Sequence, residues 1–245
     1  MRNKVLQNFS QLITEFKTCL KQELDIGLKE VKPPIALPID DRLKSLWKEV
    51  RGCKRCRLAD TRINLVFGEG NPDADLMFIG EGPGYYEDRE GRPFIGKAGQ
   101  LLTRIINAIG LTRKDVYITN IVKCHPLKDS HFPQRRGNDR APDLEEIALC
   151  LPILKKQINI ISPKIICTLG NVATQTLLDT KNSMRSLRGH FHRITPNITI
   201  MPTYHPAALL RNPFLKRDVW EDMKMIMRAL DIQVDESFSK TINQD

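Results

Sequence analysis

Residues 75–84 of this 245-residue chain read DLMFIGEGPG, a short apolar run that stops at a turn rich in glycine and proline. Apolar runs of this length with turn residues beside them predict a buried strand. Glycine lets the main chain adopt unusual turns and approach a ligand closely. The stretch therefore predicts a strand whose carboxyl end opens into a turn that can bring backbone N–H groups near a ligand.

Three more apolar runs predict buried strands of the same kind. They are VYITNIVKC (116–124), KIICTLG (164–170) and ITIMPTY (198–204). Helical patterns lie between them at 98–110 and 143–161, and the second contains Pro152, which is expected to kink or split the helix. Alternating strands and helices predict an α/β fold, a three-layer α/β/α arrangement with a central, largely parallel four-stranded sheet. Ligands of such folds bind outside the carboxyl ends of the strands.

The ends of the chain differ from this central pattern. Residues 4–24 have apolar residues at helical spacing, which predicts an amphipathic helix with Cys19 on its apolar stripe. Residues 31–40, VKPPIALPID, contain three prolines and read as a linker. We therefore expect an N-terminal helical extension over 1–40, one main domain over 41–232 and a polar tail over 233–245.

The composition predicts a soluble protein. Its hydrophobic fraction of 41% is ordinary for a globular protein, and no stretch approaches the roughly 18 apolar residues of a membrane span. The N-terminus lacks the compact apolar block and cleavage site of a signal peptide. We expect a cytoplasmic protein that does not bind membranes.

The net charge of +9 is concentrated in two segments. Residues 181–217 contain no Asp or Glu, and residues 51–57 hold four cations without an acid. Although a charge run is often only a solvated surface, so long a run without acids favours a polyanionic partner. Contacts to phosphates supply most of the non-specific affinity for nucleic acid, which is therefore the predicted partner.

Four of the six cysteines are candidates for a metal site. Their pattern is a C-x2-C pair followed by two separated residues: Cys53, Cys56, Cys124 and Cys150. Cysteines of a chain without a secretory signal favour metal binding or core packing over disulfides. A cubane 4Fe-4S cluster accepts single thiolates from separated elements, whereas a zinc site more often offers a second close pair. Zinc, or four unrelated buried thiols, remain alternatives, and Cys167 inside an apolar strand is predicted to be core.

Polar and aromatic side chains follow several of the predicted strands. Glu81 and Asn120 end two strands, Phe94 lies in a glycine-flanked loop before a helix, and His205 stands in TYHP at the end of the last strand. Each has an ordinary alternative, since Phe94 could be a core anchor, Asn120 a turn former and His205 a structural histidine. Because strand ends of a parallel sheet meet at one edge, these residues could converge on one crevice.

Taken together and in order, these motifs resemble family 4, the iron-sulfur family, of the uracil-DNA glycosylase superfamily. The resemblance covers about residues 46–213. It is carried by Cys53-x2-Cys56, GEGPG (80–84), GRPF (91–94), Thr119-Asn120, Cys124, Cys150 and HPA (205–207).

The resemblance implies a role for each strand-end residue. Phe94 would stack on uracil, Asn120 would bond its polar edge, and Glu81, Gly82 and Pro83 would line the pocket. His205 would donate to the oxyanion that develops on the departing base. The family also implies a 4Fe-4S cluster, of structural role, on the four cysteines.

The same resemblance leaves the other contacts less defined. Leu209 would enter the minor groove as a wedge and Arg211 would lie near a phosphate. Because better-known uracil glycosylases carry an aspartate where this chain has Gly82, the carboxylate that positions water is open, with Glu81 the first choice and Glu87 the second. Asp88 is expected only to cap a turn.

We therefore expect a monomeric uracil-DNA glycosylase that acts on uracil in single- or double-stranded DNA, leaves an abasic site and serves base excision repair. The alternative is a non-catalytic iron-sulfur module that binds nucleic acid within a replication or repair protein. The long segment between Cys124 and Cys150 contains His125 and His131, which could suggest a covalent trap for the sugar. The Arg135-Arg136 pair is followed by Gly137-Asn138 rather than by a nearby histidine, which argues against that reading.

Overall fold

The computed structural model describes residues 41–233 of the chain. The predicted N-terminal helix with Cys19, its linker and nearly all of the polar tail lie outside these residues. The predicted division into three segments therefore stays a prediction.

The main chain of the described part forms one mixed sheet with the strand order β1-β3-β2-β4-β6-β5. The strands are β1 (Glu69–Gly70), β2 (Leu76–Gly80), β3 (Tyr117–Asn120), β4 (Ile165–Leu169), β5 (His192–Arg193) and β6 (Thr199–Thr203). The four central strands are parallel to one another, and β1 and β5 pair antiparallel at the two edges. The predicted four-stranded parallel sheet is therefore confirmed, with two edge strands of two residues each added to it.

Helices flank the strands along the chain. Within residues 41–233 they are α1 (Asp41–Val50), α2 (Leu58–Thr61), α3 (Tyr85–Glu90), α4 (Lys97–Ala108), α5 (Leu144–Ile161), α6 (Asn171–Leu178), α7 (Met184–Leu187), α8 (Pro206–Arg211) and α9 (Leu215–Ala229). No helix of this described part is long and apolar enough to cross a membrane.

Two apolar clusters, one on each face of the sheet, make the three layers. Along β2, Met77 and Ile79 belong to the cluster that contains the buried side of α5, whereas Leu76 and Phe78 belong to the cluster that contains the buried side of α9. Alternate side chains of a strand point to opposite faces, so a central strand covered on both faces must be apolar throughout. All five residues of β2 are buried, as this requires.

Helix α5 begins at a capping box. The Asp143 carboxylate accepts from the Glu146 amide, and the Glu146 carboxylate accepts from the Asp143 amide, which satisfies two N–H groups at the helix start. Of the kink or split predicted at Pro152, the split is wrong, because α5 continues as one helix from Leu144 to Ile161, and the kink stays a prediction. Packing of its buried side outweighs the one backbone hydrogen bond that a proline removes.

Glu146 also joins α5 to the segment around Cys56. Its buried carboxylate accepts from Arg140 at 2.6 and 2.7 Å and from Arg57 Nε at 2.8 Å. Burial on its own would raise the pKa of Glu146, but the hydrogen bonds from Arg140 and Arg57 outweigh it and lower the pKa to about 2. The ionised carboxylate therefore stabilises the fold.

We predict that Glu146→Gln lowers the free energy of unfolding at pH 7 by about 1.5–3 kcal/mol, the range for a hydrogen bond to a charged group. Because the folded pKa lies below the ordinary 4.5, this difference is present above pH about 4.5 and is lost as the pH falls toward 2. Urea unfolding across this pH range measures it. Glu145→Gln, on the exposed side of the same turn, is the control, and equal effects of the two variants would contradict the prediction.

Candidate active site

The carboxyl ends of β2, β3 and β6 open into one pocket of about 630 Å³, here called the strand-end pocket. The structure brings the predicted Glu81, Phe94, Asn120 and His205 together in its wall, although they are far apart in the sequence. The turn residues Gly82 and Pro83 and the later Arg211 line it as well. The pocket also includes Asp139, Arg140, Met184 and Tyr204, which the sequence did not single out.

Gly80, the last residue of β2, sets how closely the pocket residues approach one another. A methyl group added at its α-carbon would lie 2.4 Å from the Phe94 ring and 2.5 Å from Asn120 Oδ1. Such distances are too short for any side chain. The aromatic ring and the amide therefore face each other across a bare segment of main chain.

The Phe94 ring is held by a strained and braced loop. Phe94 has a positive φ of 52°, a conformation that is rare for a bulky residue. Its side chain is only 6% exposed, and the ring centroid lies 5.6 Å from that of His205 at an interplanar angle of 33°. Strain of this kind persists only where the surrounding structure fixes it.

Two side chains supply that fixation. Glu87 Oε1 accepts from the amides of Ile95 at 2.9 Å and Gly96 at 3.0 Å. Arg113 donates to the carbonyls of Pro93 at 2.6 Å and Phe94 at 3.0 Å, and its charge is balanced by the buried Glu69. Local sequence could not identify Arg113, which lies 19 residues from the loop that it holds.

Asn120 carries an unsatisfied polar atom. The residue is 1% exposed, and its Oδ1 has no hydrogen-bond partner among the described residues. A buried acceptor without a partner costs about 1–3 kcal/mol. An orphan of this kind at the wall of a pocket is explained if a ligand N–H completes it.

His205 is a neutral hydrogen-bond donor in this arrangement. Its Nδ1 accepts from the Ala207 amide at 3.1 Å at the start of α8, so the proton of the neutral ring is on Nε2. Burial, with a smaller contribution from the charge of Arg211, lowers the pKa of His205 to about 4. Pro206 at the first helical position fixes the backbone beside it.

The three acidic residues near the glycine-rich turn have different environments. Glu81 lines the strand-end pocket, and burial raises its pKa. Glu87 also lines the pocket, but one of its oxygens holds the Phe94 loop. Asp88 is buried and accepts from the amides of Ile63 and Asn64, as expected of a turn cap. Glu87 and Asp88 are therefore engaged in holding backbone amides of the described residues, whereas Glu81 is the one of the three carboxylates for which no such bond is found there.

The expectation that Leu209 projects into DNA as a wedge is wrong for this structure. Leu209 is 2% exposed and belongs to the same apolar cluster as Phe94. Helix α8 begins at Pro206 and packs on α4, which turns Leu209 inward. One residue is a rotation of about 100° on a helix, so the next side chain, Leu210, points outward and is 46% exposed.

The four predicted cysteines line one small cavity, here called the cysteine cavity. Cys53 and Cys56 come from the turn after α1, Cys124 follows β3 and Cys150 lies on α5. Arg62 Nη1 lies 3.3 Å from Cys124 Sγ, and burial raises the pKa of the Cys124 thiol to about 11. As they stand, no group of three or more His, Cys, Asp or Glu side chains within residues 41–233 is arranged to hold a single metal ion. Cys167 is fully buried in β4, as predicted.

Lys123 also lines the cysteine cavity, and sequence reasoning missed it. The residue is completely buried, and its Nζ donates to Thr119 Oγ1 at 2.6 Å and to the Asn120 carbonyl at 2.7 Å. Burial lowers its pKa to about 7. The Lys123 side chain therefore joins the cysteine cavity to the end of β3.

The acid-free segment 181–217 divides in the structure. Arg188 pairs with Asp222 at 2.7 Å and is not available to a polyanion. Arg185, Arg193 and Arg211 are exposed. The charge pattern identified the segment, but the acids that neutralise Arg188 lie outside it.

Neither histidine of the long segment between Cys124 and Cys150 lines the strand-end pocket. His125 is buried, with Nε2 2.6 Å from Asp139 Oδ1, and His131 is largely exposed and bonded to Asp129. A covalent role for either would require a different arrangement.

Comparison with known proteins identifies the family of the chain. The model of the uracil DNA glycosylase superfamily matches residues 67–224. The type-4 uracil-DNA glycosylase of Saccharolobus solfataricus is 46% identical over 198 residues, 78% of this chain and 87% of that protein. The enzymes of the same name from Sulfurisphaera tokodaii and Thermotoga maritima are 45% and 40% identical, over 76% of this chain in each case and over 84% and 93% of the relatives. The chain therefore belongs to the uracil-DNA glycosylase superfamily and, within it, to the type-4 uracil-DNA glycosylases.

Proposed function

We propose that the protein is a DNA-repair glycosylase that takes uracil out of the base stack and hydrolyses its N-glycosidic bond, leaving an abasic site. The observation that carries this proposal is the convergence of three unlike groups on one pocket: the Phe94 ring, the unpaired Asn120 amide oxygen and the neutral His205. An enzyme acting on a base must extrude it from the duplex, and a pocket that stacks it and bonds its edge suits that step.

Base recognition rests on Phe94 and Asn120. The ring offers a flat apolar face, and the Asn120 amide can accept from the ring N–H of uracil and donate to a carbonyl beside it. A base with the opposite pattern of donors and acceptors would leave the buried Asn120 oxygen unpaired. That mismatch costs on the order of a few kcal/mol and supplies discrimination.

Bond cleavage rests on His205. When the bond between the base nitrogen and the sugar carbon breaks, the electron pair stays on uracil and its charge is shared with O2. A neutral Nε2–H fixed at the pocket wall donates to that oxygen as the charge develops. Since the ring is held by the Ala207 amide and by the turn into Pro206, little reorganisation is needed at that moment.

The sugar cation is then quenched by water. Glu81 is the proposed acceptor for the proton that the water loses as its oxygen bonds to the sugar carbon. Its position at the pocket and its raised pKa, which results from burial, support this role. Glu87, the second choice, is better explained as the brace of the Phe94 loop.

Contacts to DNA rest on exposed groups around the pocket. Leu210, rather than Leu209, is the proposed wedge, and Arg211 beside it is the proposed phosphate contact. The proposed substrate is uracil-containing DNA, and the proposed enzyme is monomeric. The described cysteines are all free thiols, which is in keeping with a cytoplasmic location.

Cys53, Cys56, Cys124 and Cys150 are the proposed ligands of a 4Fe-4S cluster. One tetrahedral zinc ion would need its four sulfurs within about 3.8 Å of one another, given zinc–sulfur bonds of about 2.3 Å. These thiols instead surround a cavity without forming a single-ion site. Thiolate ligation is negatively charged, and Lys123 and Arg62 supply cations at that place. When bound, the cluster would cross-link the turn, β3 and α5; the hydrolysis itself transfers no electrons.

We predict that His205→Ala slows release of uracil from a labelled oligonucleotide by about 10²- to 10³-fold, the usual effect of removing one oxyanion donor. DNA affinity should be retained. Alkaline cleavage of abasic sites under single-turnover conditions measures the rate, and His131→Ala, at an exposed histidine, is the control. If the wild-type protein binds DNA but releases no uracil, the result would favour the non-catalytic alternative.

The pH dependence follows from the same residues. Because the pKa of His205 is lowered to about 4, the rate should not fall as the pH passes through the ordinary histidine value of 6.5. The acid limb should instead reflect Glu81, whose base form is lost as the pH falls through its raised pKa. If the same acid limb of the pH-rate profile persists in Glu81→Gln, the assignment of Glu81 as the base would be contradicted.

Leu210→Ala and Leu209→Ala should have opposite consequences. Leu210→Ala should leave the melting temperature unchanged and weaken excision from duplex DNA more than from single strands, since only a duplex closes behind the extruded base. Leu209→Ala should lower the free energy of unfolding by about 2–5 kcal/mol, as for other buried leucines. Thermal unfolding and the rates of excision from duplex and single-stranded DNA measure these effects. If Leu209→Ala instead left the stability unchanged and weakened excision from duplex DNA, Leu209 would be the wedge.

Cys53→Ser should remove iron and sulfide from the purified protein and lower its melting temperature. Cys167→Ala removes a thiol that lies in β4 and should leave the iron content unchanged. Metal and acid-labile sulfide analysis measures the outcome. Zinc without sulfide in the wild type, or an unchanged cluster in Cys53→Ser, would overturn the assignment.

A further inference from the structure

A second cavity opens beside the strand-end pocket. This cavity, here called the flank cavity, has a volume of about 310 Å³. It shares Gly84, Glu87, Ala98 and Asp139 with the strand-end pocket. The flank cavity therefore adjoins the place where a DNA base in the strand-end pocket would lie.

Two tyrosine rings and the Arg136 guanidinium form part of the wall of the flank cavity, and Arg89 lies behind one of the rings. Tyr85 and Tyr86 meet edge to face with ring centroids 5.3 Å apart. The Arg136 guanidinium lies 5.1 Å from the Tyr86 ring centroid and donates to the Tyr86 hydroxyl, and Arg89 lies 4.5 Å from the Tyr85 ring. Tyr86 nevertheless remains 43% exposed.

Two carboxylates and two cations line the flank cavity, and both carboxylates already accept hydrogen bonds within the protein. Its two carboxylates are engaged by the protein: Glu87 by the Ile95 and Gly96 amides and Asp139 by His125. The cations Lys97 and Arg136 are exposed at the same cavity. Exposed rings next to exposed cations are the combination that binds the bases and phosphates of single strands.

The loop that carries Arg136 is held in place. The buried Asn138 side chain donates to the carbonyls of Asp129 at 2.7 Å and Phe132 at 3.0 Å and accepts from the Asp129 amide at 2.9 Å. An isolated bridge pairs Leu127 with Asp139 across the base of the loop. Arg136 is therefore presented on a formed surface.

We propose that the flank cavity is a binding subsite for the nucleotide next to the extruded uracil, with its base stacked on Tyr86 and its phosphate at Arg136 and Lys97. The inference rests on the proposed function, since uracil in the strand-end pocket defines the neighbour. A base can reach Tyr86 only when it is unstacked from its own duplex. The subsite therefore favours single-stranded or unpaired DNA around the uracil.

The test uses a fluorescent single-stranded oligonucleotide with one uracil, and two matched strands with an abasic spacer on either side of it. In the wild type, one of the two spacers should weaken binding by about 5- to 150-fold, the usual range for one stacked base. Tyr86→Ala should bind the natural strand as weakly as the wild type binds that spacer strand, and should no longer distinguish the two. Tyr86→Phe, which keeps the ring, should behave as wild type.

Phe132→Ala is the control, because Phe132 is 58% exposed on the same loop but does not line the flank cavity. Fluorescence anisotropy measures the affinities, and alkaline cleavage measures the rates of uracil release. Thermal melting shows whether each variant is folded. If uracil is released but the spacers weaken binding by Tyr86→Ala as much as they weaken binding by the wild type, the proposed subsite is wrong and the proposed function stands. If no strand loses uracil, the proposed function fails, while the anisotropy still reports whether the flanking base is bound.

Discussion

The buried Lys123 side chain holds the end of β3, between the cysteine cavity and the strand-end pocket. Lys123 is completely enclosed and donates to Thr119 and to the Asn120 carbonyl. Thr119 in turn donates to the Phe67 carbonyl at 2.8 Å, so the three groups form a continuous chain of hydrogen bonds. A buried polar group is tolerated when it is hydrogen-bonded, as the Lys123 amino group is. Lys123 therefore lies between the cysteine cavity, which it lines, and the Asn120 carbonyl, to which it donates.

The pocket is organised before any substrate arrives. The positive φ of Phe94 and the unpaired oxygen of Asn120 are both unfavourable in the free protein. Each persists because the surroundings leave no alternative: Arg113 and Glu87 hold the Phe94 loop, and Lys123 holds the β3 end. The Phe94 ring and the Asn120 amide are therefore held in place by neighbouring side chains.

The parts of this structure that leave a local pattern of apolar and turn residues could be predicted from the sequence. Buried central strands read as apolar runs, and glycine-rich turns mark their ends, so the fold and the convergence of Phe94, Asn120 and His205 were accessible. The edge strands are too short to leave a pattern. Leu209 was misplaced because the side of a helix that a residue occupies depends on where the helix begins and what it packs on. Arg113 and Arg188 take partners 44 and 34 residues away, which no local pattern reveals.

The bare main chain at Gly80 has a consequence for how such a site can evolve. The gap between the ring and the amide is bounded there by backbone atoms of a central strand that is paired on both sides. No side chain at that wall can be shortened to widen the gap, and none can be added without filling it. A wider gap would require β2, a central strand of the sheet, to shift. New substrates are therefore gained more readily by substitutions at the entrance of the strand-end pocket than by substitutions beside Gly80.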